Sequence, residues 1–334
     1  MEVQTLRSKC LGKDLLPKDV LNWISTRNFW KIWVPKEYGG LALDFSSGLQ
    51  QLKHLAYIDG SLGWTITLCS GANYFIGNLR PPTAHRIFGT QKPVIFGGSG
   101  GVFGTAELHS DHVVLNGQWK YATGAPYLTH YTLNASLTKK GLPVLNSSGK
   151  PVIQSFIIAK DKIQSINDWN TMGLRATATY SFEVKEVKAN LEDSFLYDHF
   201  YLADNIFKIP FRIFADLTLW VNYLGMATHY KEEALKYLPA TKVNELQKLL
   251  KKGEDKTWHY SQKTITLIES QIQIDSDFEQ EVHSYFCMLI KKINHTLIEL
   301  HPLLGMKAAT NNESINQIFR DYFTATQHRN FAQR

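Results

Sequence analysis

The spacing of hydrophobic residues changes twice along the chain, and these changes restrict the possible folds more than any other feature. Residues 1–92 and 201–334 repeat apolar side chains every three or four positions, which is typical of amphipathic helices. Residues 93–200 alternate apolar and polar side chains, the pattern of strands with one buried face. The sequence therefore predicts a multidomain α+β protein: an N-terminal helical domain (1–92), a middle antiparallel sheet or small barrel (93–200) and a C-terminal helical bundle (201–334).

Three local patterns refine this prediction. Residues 111–123 (DHVVLNGQWKYAT) place two alternating runs on either side of Asn116-Gly117, a dipeptide that favours a type I′ turn, so a hairpin is expected there. Residues 238–256 are interpreted as an abridged connection between helices of the bundle. Residues 314–328 (SINQIFRDYFTATQH) predict a terminal helix with Ser314 as its N-cap and with His328 on the same face as Asp321.

Composition and short motifs narrow the class of protein. The 334 residues are 44% hydrophobic and 20% charged, with a net charge of +6, which describes an ordinary globular chain without a nucleic-acid-binding arm. Cys10, Cys69 and Cys287 lack the spacing of a metal site or a disulfide framework, and no apolar signal segment precedes them. P-loop and HExxH motifs are missing. We expect a cytoplasmic protein with no metal, no membrane span and no nucleic-acid partner.

Four segments resemble motifs of the acyl-CoA dehydrogenase fold superfamily, in the order in which that superfamily has them. Residues 34–43 (VPKEYGGLAL) resemble its P-x-E-Y-G-G-x-G turn, and residues 59–68 (DGSLGWTITL) are similar to the helix that follows. Residues 113–124 (VVLNGQWKYATG) resemble its flavin-wall hairpin, and residues 169–189 are similar to its W-x-x-x-G-(M/L)-R-x-T segment. The resemblance implies an acyl-CoA dehydrogenase-like fold that binds a flavin, FMN or FAD, against the middle sheet of a homotetramer or dimer.

The resemblance also assigns residues to the flavin. The glycine-rich segment FGGSGG (96–101) and the end of the hairpin would line the flavin ring, with the Thr123 hydroxyl near its N5 and carbonyl edge. Without the resemblance, the same glycine segment is equally well interpreted as a bulged or flexible loop. The implied cofactor-binding residues are Phe96, Gly97, Gly98, Ser99, Trp119, Thr123, Gly124 and Arg320.

The C-terminal segment INQIFRDYFTATQH (315–328) resembles the ending of flavin-dependent monooxygenases built on this fold, which take reduced flavin from a separate reductase. In that branch the terminal histidine points at the C4a–N5 edge of the flavin, so His328 is the candidate catalytic residue, with Thr123 beside it. The implied reaction uses reduced flavin and O2, through a C4a-hydroperoxyflavin, on a small aromatic or heteroatom substrate. An imidazole that titrates near neutrality would suit this role.

Three residues on the N-terminal helices are candidates for the substrate cavity: Trp64, Tyr74 and Phe75. Each position is also typical of an ordinary helix–helix core, and the terminal helix with His328 is also interpretable as a plain amphipathic helix.

Two other functions stay open. An FAD-dependent acyl-CoA dehydrogenase or oxidase needs a carboxylate base. The Y-E-G segment of the dehydrogenases is missing here, and no R-x-F-G segment lies in residues 201–334. Asp216 would be the nearest candidate base. A non-catalytic scaffold with the same fold is the third interpretation, because the C-terminal zone is short for the superfamily.

Overall fold

The secondary structure follows the two changes of pattern: helices, then strands, then helices. The computed structural model describes residues 1–90 and 92–332. The predicted boundaries near residues 92 and 200 both fall between elements, and the division into three domains stays a prediction. The helices and strands are α1 (Val3–Cys10), α2 (Lys18–Thr26), α3 (Phe45–Ile58), α4 (Gly60–Asn73), α5 (Pro81–Phe88), β1 (Phe96–Leu108), β2 (Val113–Ala122), β3 (His130–Lys139), β4 (Leu142–Pro143), β5 (Ile153–Ala159), β6 (Gln164–Ile166), β7 (Tyr180–Ala189), β8 (Ser194–Phe195), α6 (Phe211–Ala234), α7 (Ala240–Glu269), α8 (Ser276–Leu300), α9 (Met306–Ala309) and α10 (Ser314–Ala325).

The strands form one sheet in the order β6-β7-β2-β1-β3-β5-β8, with β4 paired to β3. The named pairs are antiparallel except β1 and β3, which run parallel. The α+β fold class is confirmed, but the sheet is mixed rather than purely antiparallel. The reason is topological: β2 lies on one side of β1 and β3 on the other, so β3 runs in the direction of β1.

The predicted turn at Asn116-Gly117 is wrong. Strand β2 continues through both residues, and the chain reverses between β1 and β2 at residues 109–112. A Cβ on Gly117 would come within 2.6 Å of the Gly104 Cα and 2.7 Å of the Trp119 ring. Gly117 is therefore needed for a close approach of two strands around a buried indole, a requirement that a local turn signal does not reveal.

The glycine-rich segment is a bulged part of strand β1. Its pairing with β3 shifts register between Ser99 and Val102 and again between Val102 and Thr105. A Cβ on Gly98 would overlap the carbonyl of Thr132, its partner on β3. Gly98 therefore serves the close packing of β1 on β3.

Two predictions about the C-terminal helices also need correction. Residues 238–256 are not an abridged connection, because after Pro239 the chain forms α7, a helix of 30 residues. The N-cap position of α10 is Glu313 rather than Ser314, and its side chain makes no hydrogen bond to the helix. The helix ends at Ala325, so His328 lies in the turns beyond it. Within residues 1–90 and 92–332, no helix is long and apolar enough to cross a membrane.

Helices α3 and α6 approach each other at Gly225, and this contact gives a test of the fold. A Cβ on Gly225 would overlap the Lys53 carbonyl, whereas a Cβ on Gly71 of α4 would meet only Phe214, at 3.9 Å. Gly225→Ala should lower the free energy of unfolding in urea by about 2 kcal/mol. Gly71→Ala is the matched control and should raise it by about 0.5–1 kcal/mol through helix propensity. A Gly225→Ala protein as stable as Gly71→Ala would contradict this helix packing.

Candidate functional site

Helices α4 and α6 and the turn after α10 meet at an aromatic cluster. The Trp64 ring lies edge-on to the Tyr223 ring of α6, with 6.1 Å between centroids. It lies edge-on to the His328 imidazole as well, at 5.5 Å. The fold thus brings Trp64 and His328, both predicted site residues, into contact. Apolar rings of this kind keep water away from a reacting group.

The His328 imidazole is neutral in this environment. Burial lowers its pKa to about 4, although part of the residue stays accessible. The backbone N–H of Asn330 donates to Nδ1 of His328 at 3.3 Å, so the neutral ring carries its proton on Nε2. The expectation of an imidazole that titrates near neutrality is therefore corrected: above about pH 5, His328 offers an uncharged N–H donor.

Thr123 and Gly124 lie at the end of β2, against α4. The Thr123 hydroxyl is 3.1 Å from the Thr179 hydroxyl, and the Cys69 thiol of α4 donates to the Thr123 carbonyl at 3.6 Å. The Gly124 N–H already donates to the Thr177 carbonyl at 2.8 Å. Helix α4 therefore links the end of β2 to the aromatic cluster, since Cys69 follows Trp64 by little more than one turn.

Two buried hydroxyls beside the cluster have no hydrogen-bond partner within the described chain. One is Thr65, next to Trp64 on α4, and the other is Tyr322, whose ring lies edge-on to Tyr223 at 5.8 Å. A buried hydroxyl without a partner costs about 1–3 kcal/mol, so such groups are retained where a ligand can satisfy them. This observation fits a polar, planar ligand such as a flavin between β2 and the helices.

The two aromatic residues predicted to pack on the flavin lie in the core. Trp119 is stacked on Phe182 with 5.6 Å between centroids, and its Nε1–H donates to the Asn134 carbonyl at 2.9 Å. Phe96 packs against Phe88 at 5.1 Å. The structure therefore buries both rings among protein side chains, and their contact with a flavin stays a prediction.

An aromatic residue that was not predicted lies nearer the surface of β2. Tyr121 is 42% exposed and lies edge-on to Trp169, with 5.5 Å between ring centroids. The bulge in β2 between Trp119 and Ala122 turns this side chain outward. A clue was present in the sequence, because Tyr121 precedes Thr123 by two positions in the segment that resembles the flavin wall.

The remaining predicted flavin residues are engaged with the protein backbone. The Ser99 hydroxyl donates to the Lys120 carbonyl at 2.7 Å. The Arg320 guanidinium donates to the Met172 carbonyl at 2.8 Å, which ties α10 to the segment before β7. A Cβ on Gly97 would come within 2.7 Å of the Leu128 side chain. The assignment of Gly97, Gly98, Ser99, Gly124 and Arg320 to the cofactor stays a prediction.

Tyr74 and Phe75 belong to a different cluster from Trp64. The Tyr74 ring stacks on Phe214 at 4.1 Å, and its hydroxyl donates to the Ile206 carbonyl at 3.1 Å. Phe75 stacks on Tyr197 at 4.8 Å. Both rings are buried in the core. At the rise of an α-helix, they lie about 15 Å from Trp64 along the axis of α4. Their role in substrate binding stays a prediction.

Asp321 fixes α10 against the turn before β7. Its Oδ1 accepts the Leu174 N–H at 2.6 Å, while Gln317 donates to Asp59, the N-cap of α4, at 3.0 Å. Both carboxyl groups are buried. Burial, together with the neighbouring Asp59, raises the pKa of Asp321 to about 8. Asp321 is therefore mostly protonated at neutral pH, and the bond from Gln317 to Asp59 joins α10 to α4.

A second acidic group, Asp216 on α6, lies deeper in the bundle. Its carboxylate is fully buried and is 3.1 Å from His283 Nδ1 on α8. The side-chain amide of Asn330 donates to Asp216 Oδ1 at 2.6 Å. Burial raises the pKa of Asp216, and His283 opposes that shift. Neither His283 nor Asn330 was predicted, because only the fold brings these three segments together.

No protein-family model matches the sequence. The indole-3-acetate monooxygenase of Pseudomonas putida is 24% identical over 215 residues, which cover 64% of this chain and 53% of that protein. The flavin-dependent monooxygenase oxygenase subunit HsaA of Mycobacterium tuberculosis is 24% identical over 222 residues, 64% of this chain and 54% of the relative. In these alignments the chain spans about half the length of the curated relatives it matches.

Solved structures match nearly the whole chain. The 3-HSA hydroxylase from Rhodococcus sp. RHA1 superposes with a TM-score of 0.88 at 15% identity, over 98% of this chain and 90% of the other. XiaF from Streptomyces sp., solved with FADH2 and glycerol, has a TM-score of 0.87 at 15% identity, over 98% and 89%. The chain therefore has the fold of these two proteins, which is the acyl-CoA dehydrogenase-like fold.

The carboxyl pair gives a prediction about pH. The folded-state pKa of Asp321 lies near 8 against an ordinary value of 3.8, so the stability contributed by its proton is complete below pH 3.8 and is lost as the pH rises through 8. Asp321→Asn removes this titration. Its free energy of unfolding should fall less than that of the wild type between about pH 5 and about pH 9. Asp255→Asn, an exposed carboxylate of α7, is the control, and equal slopes for all three proteins would contradict the raised pKa.

Proposed function

We propose that this chain is the oxygenase component of a flavin-dependent monooxygenase that acts on a small aromatic or heteroatom-containing substrate. The observation that carries the proposal is the contact of Trp64 with both His328 and Tyr223, beside two unpartnered hydroxyls. The fold is that of an enzyme solved with FADH2, and the relatives named above are monooxygenases. The activity assigned here extends those likenesses to this chain.

The flavin would be held by side chains from β2 and α4. Thr123 and the unpartnered hydroxyl of Thr65 are the candidate donors to its polar edge, and Tyr121 with Trp169 supplies an exposed aromatic face. A bound reduced flavin supplies the electrons that activate O2. A Cβ built on Gly100 would meet no atom within 4 Å, so the space beside this residue is open.

His328 would act as a neutral hydrogen-bond donor. Its Nε2–H can donate to an oxygen atom on which negative charge develops, and such donors are most effective in a site from which water is excluded. Trp64 and Tyr223 provide apolar walls beside it. Because its pKa is about 4, the imidazole is neutral throughout the neutral range, and its one remaining ring N–H is the donor. The residue would therefore orient and stabilise without changing charge.

The proposal includes partners and a location. A relative named as an oxygenase subunit implies a separate reductase that delivers reduced flavin. The C-terminal helices expose large apolar side chains, among them Trp258 at 55% and Leu303 at 51%, which would be covered in a homodimer or homotetramer. Cys10, Cys69 and Cys287 are unpaired and buried, as expected for a protein of the reducing cytoplasm.

The acyl-CoA dehydrogenase alternative is less well supported by the geometry. Its base would be Asp216, but that carboxylate already accepts hydrogen bonds from His283 and Asn330 and is fully buried. A base must reach the proton that it removes. The structure offers no such approach to Asp216.

The deciding experiment mixes oxygen rapidly with the protein and anaerobically reduced FMN, then FAD. We expect the absorbance of oxidised flavin to return much more slowly than it does for free reduced flavin, because the site is sheltered from water. His328→Ala should speed this return by about 100-fold while reduced flavin still binds. His295→Ala, on the exposed face of α8, is the matched control. A wild-type protein that behaves like free flavin would refute the monooxygenase assignment.

Tyr121→Ala should weaken the binding of reduced FMN about tenfold, which corresponds to the loss of roughly 1.4 kcal/mol of aromatic contact. Anaerobic titration followed by flavin absorbance measures this affinity directly. Tyr237→Ala removes a tyrosine of similar exposure on the bundle and should leave the affinity unchanged. Equal affinities for the Tyr121→Ala and wild-type proteins would remove Tyr121 from the flavin site.

A further inference from the structure

The turn that carries His328 is attached to the bundle through Asn330. The side-chain amide of Asn330 donates to Asp216 Oδ1 at 2.6 Å, and its backbone N–H donates to His328 Nδ1 at 3.3 Å. One residue therefore contacts a fully buried carboxylate with its side chain and the candidate catalytic imidazole with its main chain. The described tail ends two residues later, at residue 332.

The carboxylate that receives this amide is itself held in place. His283 Nδ1 lies 3.1 Å from Asp216 Oδ2 and approaches it from α8. The Phe331 ring stacks on the His283 ring, with 5.7 Å between centroids and 16° between planes. On its other side Phe331 lies edge-on to Tyr223 at 5.7 Å. Asp216 and His283 thus support the turn from the bundle, and Phe331 of the turn packs against His283.

The turn has few restraints of its own. Helix α10 ends at Ala325, and residues 326–332 make only local backbone hydrogen bonds, such as Phe331 N–H to the His328 carbonyl at 3.1 Å. A hydrogen bond to a buried carboxylate contributes about 1.5–3 kcal/mol, more than a typical neutral one. Among the hydrogen bonds of the described residues 326–332, the bond between Asn330 and Asp216 is the one that reaches a distant helix.

We propose that Asp216 and Asn330 are positioning residues that hold the His328 imidazole in the tautomer with its proton on Nε2. The backbone N–H of Asn330 can only donate, so while it faces Nδ1 that nitrogen must accept and the ring proton must lie on Nε2. Asp216 keeps the N–H there by fixing the side chain of the same residue. This inference rests on the proposed function, in which Nε2–H of His328 is the working donor.

The first test reads the tautomer in flavin-free protein. Protein labelled with 15N-histidine is compared at pH 7.5 by NMR, and the His328 signals among the 12 histidines are those missing from His328→Gln. In the wild type we expect one tautomer, protonated on Nε2. Asn330→Ala should give a mixture of both tautomers. Gln327→Ala, an exposed amide in the same turn, is the matched control and should match the wild type.

The second test uses the rapid-mixing assay as a double-mutant cycle. Asp216→Asn and Asn330→Ala should each shorten the delay before oxidised flavin returns by about tenfold, and the double variant should lose no more than either single variant. Additive losses would show that the two residues act separately and would overturn the proposal. If Asp216→Asn does not fold, Asn330→Ala decides, because Asn330 lies in a partly exposed turn.

The outcomes separate the two proposals. A tautomer shift in Asn330→Ala, with no oxidation delay in the wild type, would support the positioning role and reject the monooxygenase function. A wild-type delay, with an unchanged tautomer and unchanged delay in Asn330→Ala, would reject the positioning role alone. Lower stability of Asn330→Ala without a tautomer shift would make Asn330 a purely structural residue and would also overturn the inference.

Discussion

The burial of α4 is the constraint on which the rest of this structure depends. Every residue of the helix except Leu68 and Gly71 is buried. Each turn of the helix therefore packs against a different neighbouring element. Asp59 caps the helix and receives Gln317 of α10, and Trp64 meets the turn that follows α10. Farther along, Cys69 contacts the end of β2, and Asn73 accepts the N–H of the first residue of β1. One helix therefore sets the distances between the sheet, the bundle and the candidate site.

Some buried polar groups in this protein hold segments of the chain together, and others lie without a partner beside the aromatic cluster. Asp216 and Asp321 are carboxyl groups withdrawn from water, and each is held by hydrogen bonds from another part of the chain. Burial of a charge is costly unless it is paired in this way. The hydroxyls of Thr65 and Tyr322 are buried and unpartnered beside the same aromatic cluster. The carboxyl groups thus anchor the terminal segment, while the hydroxyls are left for a ligand.

The periodicity of the sequence predicted helices and strands well where burial is decided locally. Sequence reasoning failed where the same residue type can serve two different structural roles. Asn116-Gly117 favours a turn, but Gly117 is needed where strands approach the Trp119 indole. Residues 238–256 are rich in charge and were interpreted as a connection between helices. The chain from Ala240 onward instead forms α7, whose buried face is narrow. The assignment of Trp119 to the flavin came from the resemblance and stays a prediction, while the structure buries its ring in the core.

The sequence by itself determined the fold class through the spacing of its apolar residues, and the resemblance of its segments to known motifs made His328 a candidate. Only the tertiary structure decided the state and surroundings of that histidine. Its low pKa follows from burial against Trp64, and its tautomer follows from Asn330, which Asp216 holds from another helix. Proton position and burial depend on contacts between segments distant in the chain, and such contacts leave no periodic trace in the sequence.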